Sequence, residues 1–213
     1  MADTTKKMTS GSPMKLILGF SIPMLAGLLF QQMYSLVDTI IVGQTLGKDA
    51  LAAVGSTGSI NFLINGFCMG VCSGFAIPVA QRFGAESYDS MRKFVGNAVV
   101  LSGMFAVILT VLVSIFCYDI LEILNTPDNI INEAYSYIFI IFLGIPVTFL
   151  YNLTAGIMRS LGDSRTPTFF LLMASAINIV LDLLFIIVLG LGVSGPAIAT
   201  VISQLVAGTS CLI

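Results

Sequence analysis

Histidine and tryptophan are absent from the 213 residues, and charged side chains make up only 9% of them. Without imidazole the chain has no histidine base or metal ligand, and no side chain whose ordinary titration falls between pH 5 and 8. The four cysteines, Cys68, Cys72, Cys117 and Cys211, form no CxxC pair and have no histidine to complete a zinc site. They lie in or beside apolar runs and read as small hydrophobic residues. P-loop, GxSxG and metal-ligand motifs are missing, and no polar segment is long enough to fold into a catalytic domain. The chain therefore reads as a non-enzyme without a cofactor. Eleven acids against nine bases leave a net charge of −2, which gives no reason to expect a nucleic-acid partner.

What the chain has is apolar length. It is 57% hydrophobic with a mean hydropathy of +1.01, outside the range of soluble domains and typical of an integral membrane protein in contact with lipid. A helix needs about 20 mostly apolar residues to cross the hydrocarbon core. Charge-free stretches run from Leu16 to Val37, Ala50 to Gln81, Phe94 to Tyr118 and Ala134 to Met158, and then from Thr166 to the C-terminus with Asp182 as the sole interruption. The Gly/Pro-rich "GLGVSGPA" divides the last stretch in two. The expectation is an all-α membrane protein: a six-transmembrane-helix bundle over residues 16–213 behind a cytoplasmic tail, 1–15. Its spans fall near 16–43, 51–80, 94–117, 133–157, 167–190 and 196–213.

Eight of the nine Lys and Arg residues fall on one side of this arrangement, Lys48 being the exception. By the positive-inside rule both termini are expected to be cytoplasmic, in a multi-pass protein of the plasma (inner) membrane. The last run stops at "SCLI" without a polar flank, as a chain cut at a helix end would.

Ionisable residues at membrane depth cost roughly 2.5 to 3.5 kcal/mol on insertion scales and face a partner or a cavity. Asp182 is one, and Ser175 and Asn178 share its helical face at steps of three and four. Gln31, Ser35 and Asp38 repeat the pattern in span one, and Thr200 and Gln204 lie four apart in span six. Orientation places Asp38, Asp182 and Thr200 in the outer half. Spans one, five and six brought together would surround one space with two carboxylates, an amide and a hydroxyl. Two carboxylates in a low-dielectric site cannot both stay ionised uncompensated, so either a proton is held or a cation binds between them. Sodium suits the oxygens of Asp38, Asn178, Asp182 and Thr200, since hard cations prefer oxygen ligands. Asn61, Asn65 and Asn152, with Gln31, Ser35 and Gln204, are candidates to line the same interior. Pro23 is the candidate hinge of span one, while Pro78 and Pro146 should bend or break their helices. Gly66, Gly70 and Gly74 form GxxxGxxxG on span two, which is expected to admit a close helix neighbour.

The stretches "VDTIIVGQTLGKDALAAVG" from Val37, "RSLGDSRTP" from Arg159, "NIVLD" from Asn178 and "GVSGPAIATVISQ" from Gly192 resemble the first half of a multidrug and toxic compound extrusion (MATE) transporter. The resemblance implies one lobe of a twelve-helix antiporter that exports drugs and organic cations against inward proton or sodium flow. It also implies that Asp38, Asn178, Asp182 and Thr200 are the cation-site residues, with Asn152 a matching amide of the fourth helix. The second lobe is missing. A truncated product is expected, with assembly of two half-size chains or a separate second polypeptide as alternatives. For function, the alternatives are a lipid-linked oligosaccharide flippase of the same superfamily, which should carry basic residues to hold a pyrophosphate, and an intramembrane aspartyl protease, whose YD and GxGD contexts are absent.

Overall fold

The computed structural model describes residues 12–212, so most of the tail 1–15 and the final residue of the lobe lie outside the described residues. Among those described, every regular element is helical: α1 (Pro13–Thr45), α2 (Lys48–Ser56), α3 (Gly58–Gly84), α4 (Tyr88–Ile115), α5 (Cys117–Ile123), α6 (Ile131–Leu143), α7 (Ile145–Ser160), α8 (Arg165–Leu183), a π turn (Leu184–Val188) and α9 (Ser194–Ser210). The connections are short and chemically marked. Gly47 takes φ +92 before α2, Gly162 takes φ +87 before α8, and Gly190 and Gly192 take φ +64 and +57 before α9, backbone settings that cost glycine little. Asp163 fixes the start of α8: its Oδ1 accepts from the Arg165 and Thr166 backbone N–H groups at 3.0 Å each, and its Oδ2 from Thr166 Oγ1 at 2.6 Å.

Length and composition mark Met14–Thr45, Lys48–Gly84, Tyr88–Ile115 and Arg165–Val188 as membrane-crossing helices, and α6 with α7 as a fifth crossing bent by 45°. The α9 segment has 17 residues, about 25 Å of helix, shorter than the others. These helices differ from the expected spans in three ways. The second expected span, 51–80, starts earlier and is two helices separated only by the buried Thr57, whose Oγ1 donates to Val54 O at 2.7 Å. The fourth, expected over 133–157 with a bend or break at Pro146, breaks two residues earlier, at Gly144. The fifth ends in the π turn, with Leu189 N–H bonding Leu184 O at 3.0 Å in an i→i+5 bond.

The broken helix is the centre of the bundle. It contributes Phe142, Phe149, Ile138 and Ile145 to the fully buried side chains, and α7 packs on α3, α4, α8 and α9. Lying across α8 is α1, and beneath α6 is α9. Large apolar residues such as Leu29, Val107, Val180 and Val188 point outward, as expected of a surface facing lipid.

Close helix approach does occur, but not where the glycine pattern placed it. A Cβ at Gly66, Gly70 or Gly74 would meet nothing within 4 Å, so that stripe faces out of the described lobe. Close contacts occur instead at, among others, Gly208, whose Cβ would lie 3.2 Å from Leu150 Cγ and from the Tyr151 backbone nitrogen, and Gly195, 3.1 Å from Phe185 Cβ. Spacing reveals small residues; only the tertiary arrangement decides which of them meet a helix. The helices α1 and α3 run without a break through Pro23 and Pro78; of the three prolines, Pro146 alone stands beside a break.

Candidate cation site

Four acceptor positions converge from three helices. On α8, Ala174, Asn178, Asp182 and, in the π turn, Ile186 recur every fourth residue on the buried face, and Asn178 and Asp182 are both 0% exposed. The helical period thus puts the Asp182 carboxyl on the face that packs against the rest of the bundle. From α1, half-buried Asp38 approaches Asp182, the two carboxyl groups being within reach of a shared proton. From α9, Thr200 Oγ1 lies 3.5 Å from Asn178 Nδ2, the outer limit of a hydrogen bond.

The oxygens of this group are poorly satisfied. Asp38 Oδ1, Asn178 Oδ1 and both carboxyl oxygens of Asp182 are buried without a hydrogen-bond donor. Two ionised carboxylates offer each other acceptors only, so their proximity makes no bond until a proton or a cation lies between them. Buried polar groups are nearly always paired, and two unit charges about 4 Å apart repel by about 4 kcal/mol at an effective dielectric of 20. Sharing one proton removes that repulsion; so does a sodium ion held by the same oxygens together with Thr200 Oγ1. No cluster of three or more His, Cys, Asp or Glu occurs among the described residues; the donors here are carboxylate, amide and hydroxyl oxygens, the kind hard cations take.

Two tyrosines join the group that the sequence did not single out. Tyr34 precedes Asp38 by one helical turn on α1, and Tyr137 is buried on α6; both lie close enough to Asp38 and Asp182 to feel their charge. Four-residue spacing from Asp38 was a signal for Tyr34. Nothing in the apolar run "YSYIFIIFL" marks Tyr137.

The other candidates are arranged differently. Thr148 Oγ1 donates to Gln204 Oε1 at 2.9 Å, and Asn152 Nδ2 donates to Thr148 O at 2.9 Å, forming a separate polar link between α7 and α9. Asn65 Nδ2 donates to the Asn61 carbonyl at 3.0 Å and to the Asn61 side-chain oxygen, so this amide pair satisfies itself on α3. Gln31 is half-buried and Ser35 exposed, with Ser35 O accepting from Thr39 Oγ1 at 2.8 Å. Among the described residues no hydrogen bond ties Gln31, Ser35, Asn61, Asn65, Asn152 or Gln204 to the carboxylate pair. Pro23 lies four turns from Asp38 on the same unbroken helix.

Bundles of membrane-crossing helices interrupted by breaks are a form that secondary transporters take, and comparison with solved structures agrees on the fold. A crystal structure of MATE in the bent conformation superimposes with a TM-score of 0.90 at 28% identity, covering 99% of this chain and 46% of that one. The MatE family profile matches residues 23–184, and the chain belongs to this family, whose members are transporters and not enzymes. Among its relatives are the probable multidrug resistance protein YoeA of Bacillus subtilis, 36% identical over 207 residues, 94% of this chain and 44% of the relative, and an FAD transporter of Shewanella oneidensis, 30% identical over 197 residues, 91% of this chain and 43% of the relative. The chain thus spans less than half the length of the relatives it matches.

Proposed function

We propose that this chain is the cation-coupling lobe of an antiporter that exports drug-like organic cations across the plasma membrane against an inward flow of protons or sodium. The observation that carries the proposal is the meeting of Asp38 and Asp182 with their buried oxygens lacking donors, beside Asn178 and Thr200. An uncompensated acid pair has two low-energy states: protonated or cation-bound, in which α1 and α8 sit together, and ionised, in which repulsion favours their separation. Ion occupancy would thereby bias the position of α1, with Pro23 as the site where that helix bends, and coupling follows from the different affinities of the two states. Residues 1–15 serve as a cytoplasmic tail and 16–213 as a six-span lobe with both termini inside, which operates with a second lobe of similar size around the substrate.

The test is efflux of a fluorescent organic cation from vesicles carrying the complete transporter, under separately imposed sodium and proton gradients. Asp182→Asn should abolish gradient-driven efflux while membrane insertion persists; efflux equal to the native protein's would end the proposal.

A substrate bearing a pyrophosphate is the runner-up, because one relative is named for FAD transport and a lipid-linked sugar flippase would share that chemistry. Against it, no Lys or Arg is among the fully buried residues described, and a pyrophosphate calls for cationic donors. Uptake of FAD by the same vesicles, faster than by vesicles without protein, would reverse the ranking.

A further inference from the structure

The two halves of the broken span have different attachments. The inner half, α7, is fastened to its neighbours: Thr148 bonds Gln204 on α9 at 2.9 Å, and Ser160 Oγ donates to Ala76 O on α3 at 2.9 Å. The outer half, α6, instead carries the buried Tyr137, within the electrostatic reach of the two carboxylates. Between them lies the 45° bend at Gly144, and what Gly144 touches is Val201, the residue after Thr200. A Cβ on Gly144 would lie 2.5 Å from Val201 Cγ2, 3.3 Å from Val201 Cγ1 and 3.1 Å from the Ile141 carbonyl oxygen. The first separation is one that side chains do not adopt. Gly144 has φ −78, ordinary for any residue, so the demand here is for space and not for backbone freedom. Valine in a helix is nearly confined to one χ1 setting and cannot swing aside, so a larger residue at 144 must displace a helix. The helices available to move are α9, which carries Thr200, and α6, which carries Tyr137.

We propose that Gly144 and Val201 form a positioning joint: their contact sets how Thr200 and Tyr137 sit around the Asp38–Asp182 pair, and so sets the affinity for the coupling cation. The joint touches no ion itself and acts through the two helices it spaces. This rests on the cation-site function proposed above, and the experiment separates the two.

The full chain in detergent is melted at increasing sodium chloride, with choline chloride holding ionic strength constant, and then at varied pH without sodium. The readout is the sodium concentration, or the pH, at half-maximal rise in melting temperature. Gly144→Ala should move the sodium midpoint tenfold or more, or the pH midpoint by at least one unit. Adding Val201→Ala to it, which removes the opposing methyl groups, should return the midpoint to within threefold of native. A purely structural contact would lower the melting temperature and leave the midpoint in place; that result, or a double variant no closer to native than the single, overturns the joint. Should Gly144→Ala not fold, Val201→Ile adds one methyl group to the same contact and must shift the midpoint threefold or more, an unchanged midpoint again being fatal. If Asp182→Asn abolishes the response while Gly144→Ala leaves it native-like, only the joint fails. If the native chain shows no response, or Asp182→Asn keeps one, the cation site fails and the joint with it.

Discussion

Replacing Asp182 by Asn should make the ion-free protein more stable while removing its response to the ion. Both carboxyl oxygens of Asp182 are buried without donors, and its charged neighbour is another carboxylate, Asp38. Asparagine is almost the same shape, carries no charge, and brings an NH₂ that can donate to Asp38. The full repulsion between two ionised groups would be about 4 kcal/mol at an effective dielectric of 20, and it acts only in the fraction of chains where the pair holds no proton, so the average gain is smaller, about 1–3 kcal/mol. At roughly 2–4 °C per kcal/mol for a chain of this size, the melting temperature should rise by several degrees in sodium-free buffer. Adding sodium should then raise it no further. The assay is thermal unfolding of native and variant chains at fixed pH with and without sodium. A structural anchor would behave oppositely: if Asp182→Asn melts lower than native and still gains stability from sodium, the acid pair is a packing device and its functional role is refuted. A stability gain coupled to a functional loss is the signature of a site kept strained for its work.

Four further expectations can be checked by unfolding or binding. Asp163→Ala removes the acceptor of two backbone N–H groups and one hydroxyl at the start of α8 and should cost about 1–2 kcal/mol, with Asp163→Asn recovering part of it. Thr200→Val deletes the hydroxyl near Asn178 Nδ2 and should cost about 1 kcal/mol and weaken sodium binding, whereas Thr200→Ser should do neither strongly. Gly208→Ala drives a methyl group against Leu150 and the Tyr151 backbone and should destabilise by about 1–3 kcal/mol. Gly70→Ala meets open space and should instead stabilise the helix by about 0.5–1 kcal/mol; a loss of stability in the isolated lobe would mean that this face is covered.

What the sequence made legible was what repeats or stands out locally. Charge-free length exposed the helices, and one carboxylate in an apolar run, with an amide one turn before it, pointed to the residues proposed as the cation site. The class of fold and the family followed from those stretches. What stayed hidden depends on residues far apart in the chain. Gly144 breaks its span opposite Val201, 57 positions later, and neither residue is unusual by itself. Tyr137 lies in a plain apolar run, and its relevance comes from Asp38 and Asp182 on other helices. The glycines of α3 have the spacing of a packing motif but no neighbour within the described lobe, because period alone does not say which face of a helix is covered. The polar residues Asn61 and Asn65, regularly spaced and suggestive, bond each other and leave the acids alone.

The π turn at Leu184–Val188 begins two residues after Asp182 and holds one residue more than an ordinary turn. Its surplus residue acts as slack in a measuring tape. Removing one of Leu184 to Val188 would let α8 close into an unbroken α-helix, with every backbone bond after it remade, yet would turn Asp182 by roughly a quarter of a revolution relative to α9 beyond the glycine corner that follows. Length variation at this spot would therefore re-aim the acid without dismantling the bundle, a change in wiring that no substitution at Asp182 can imitate.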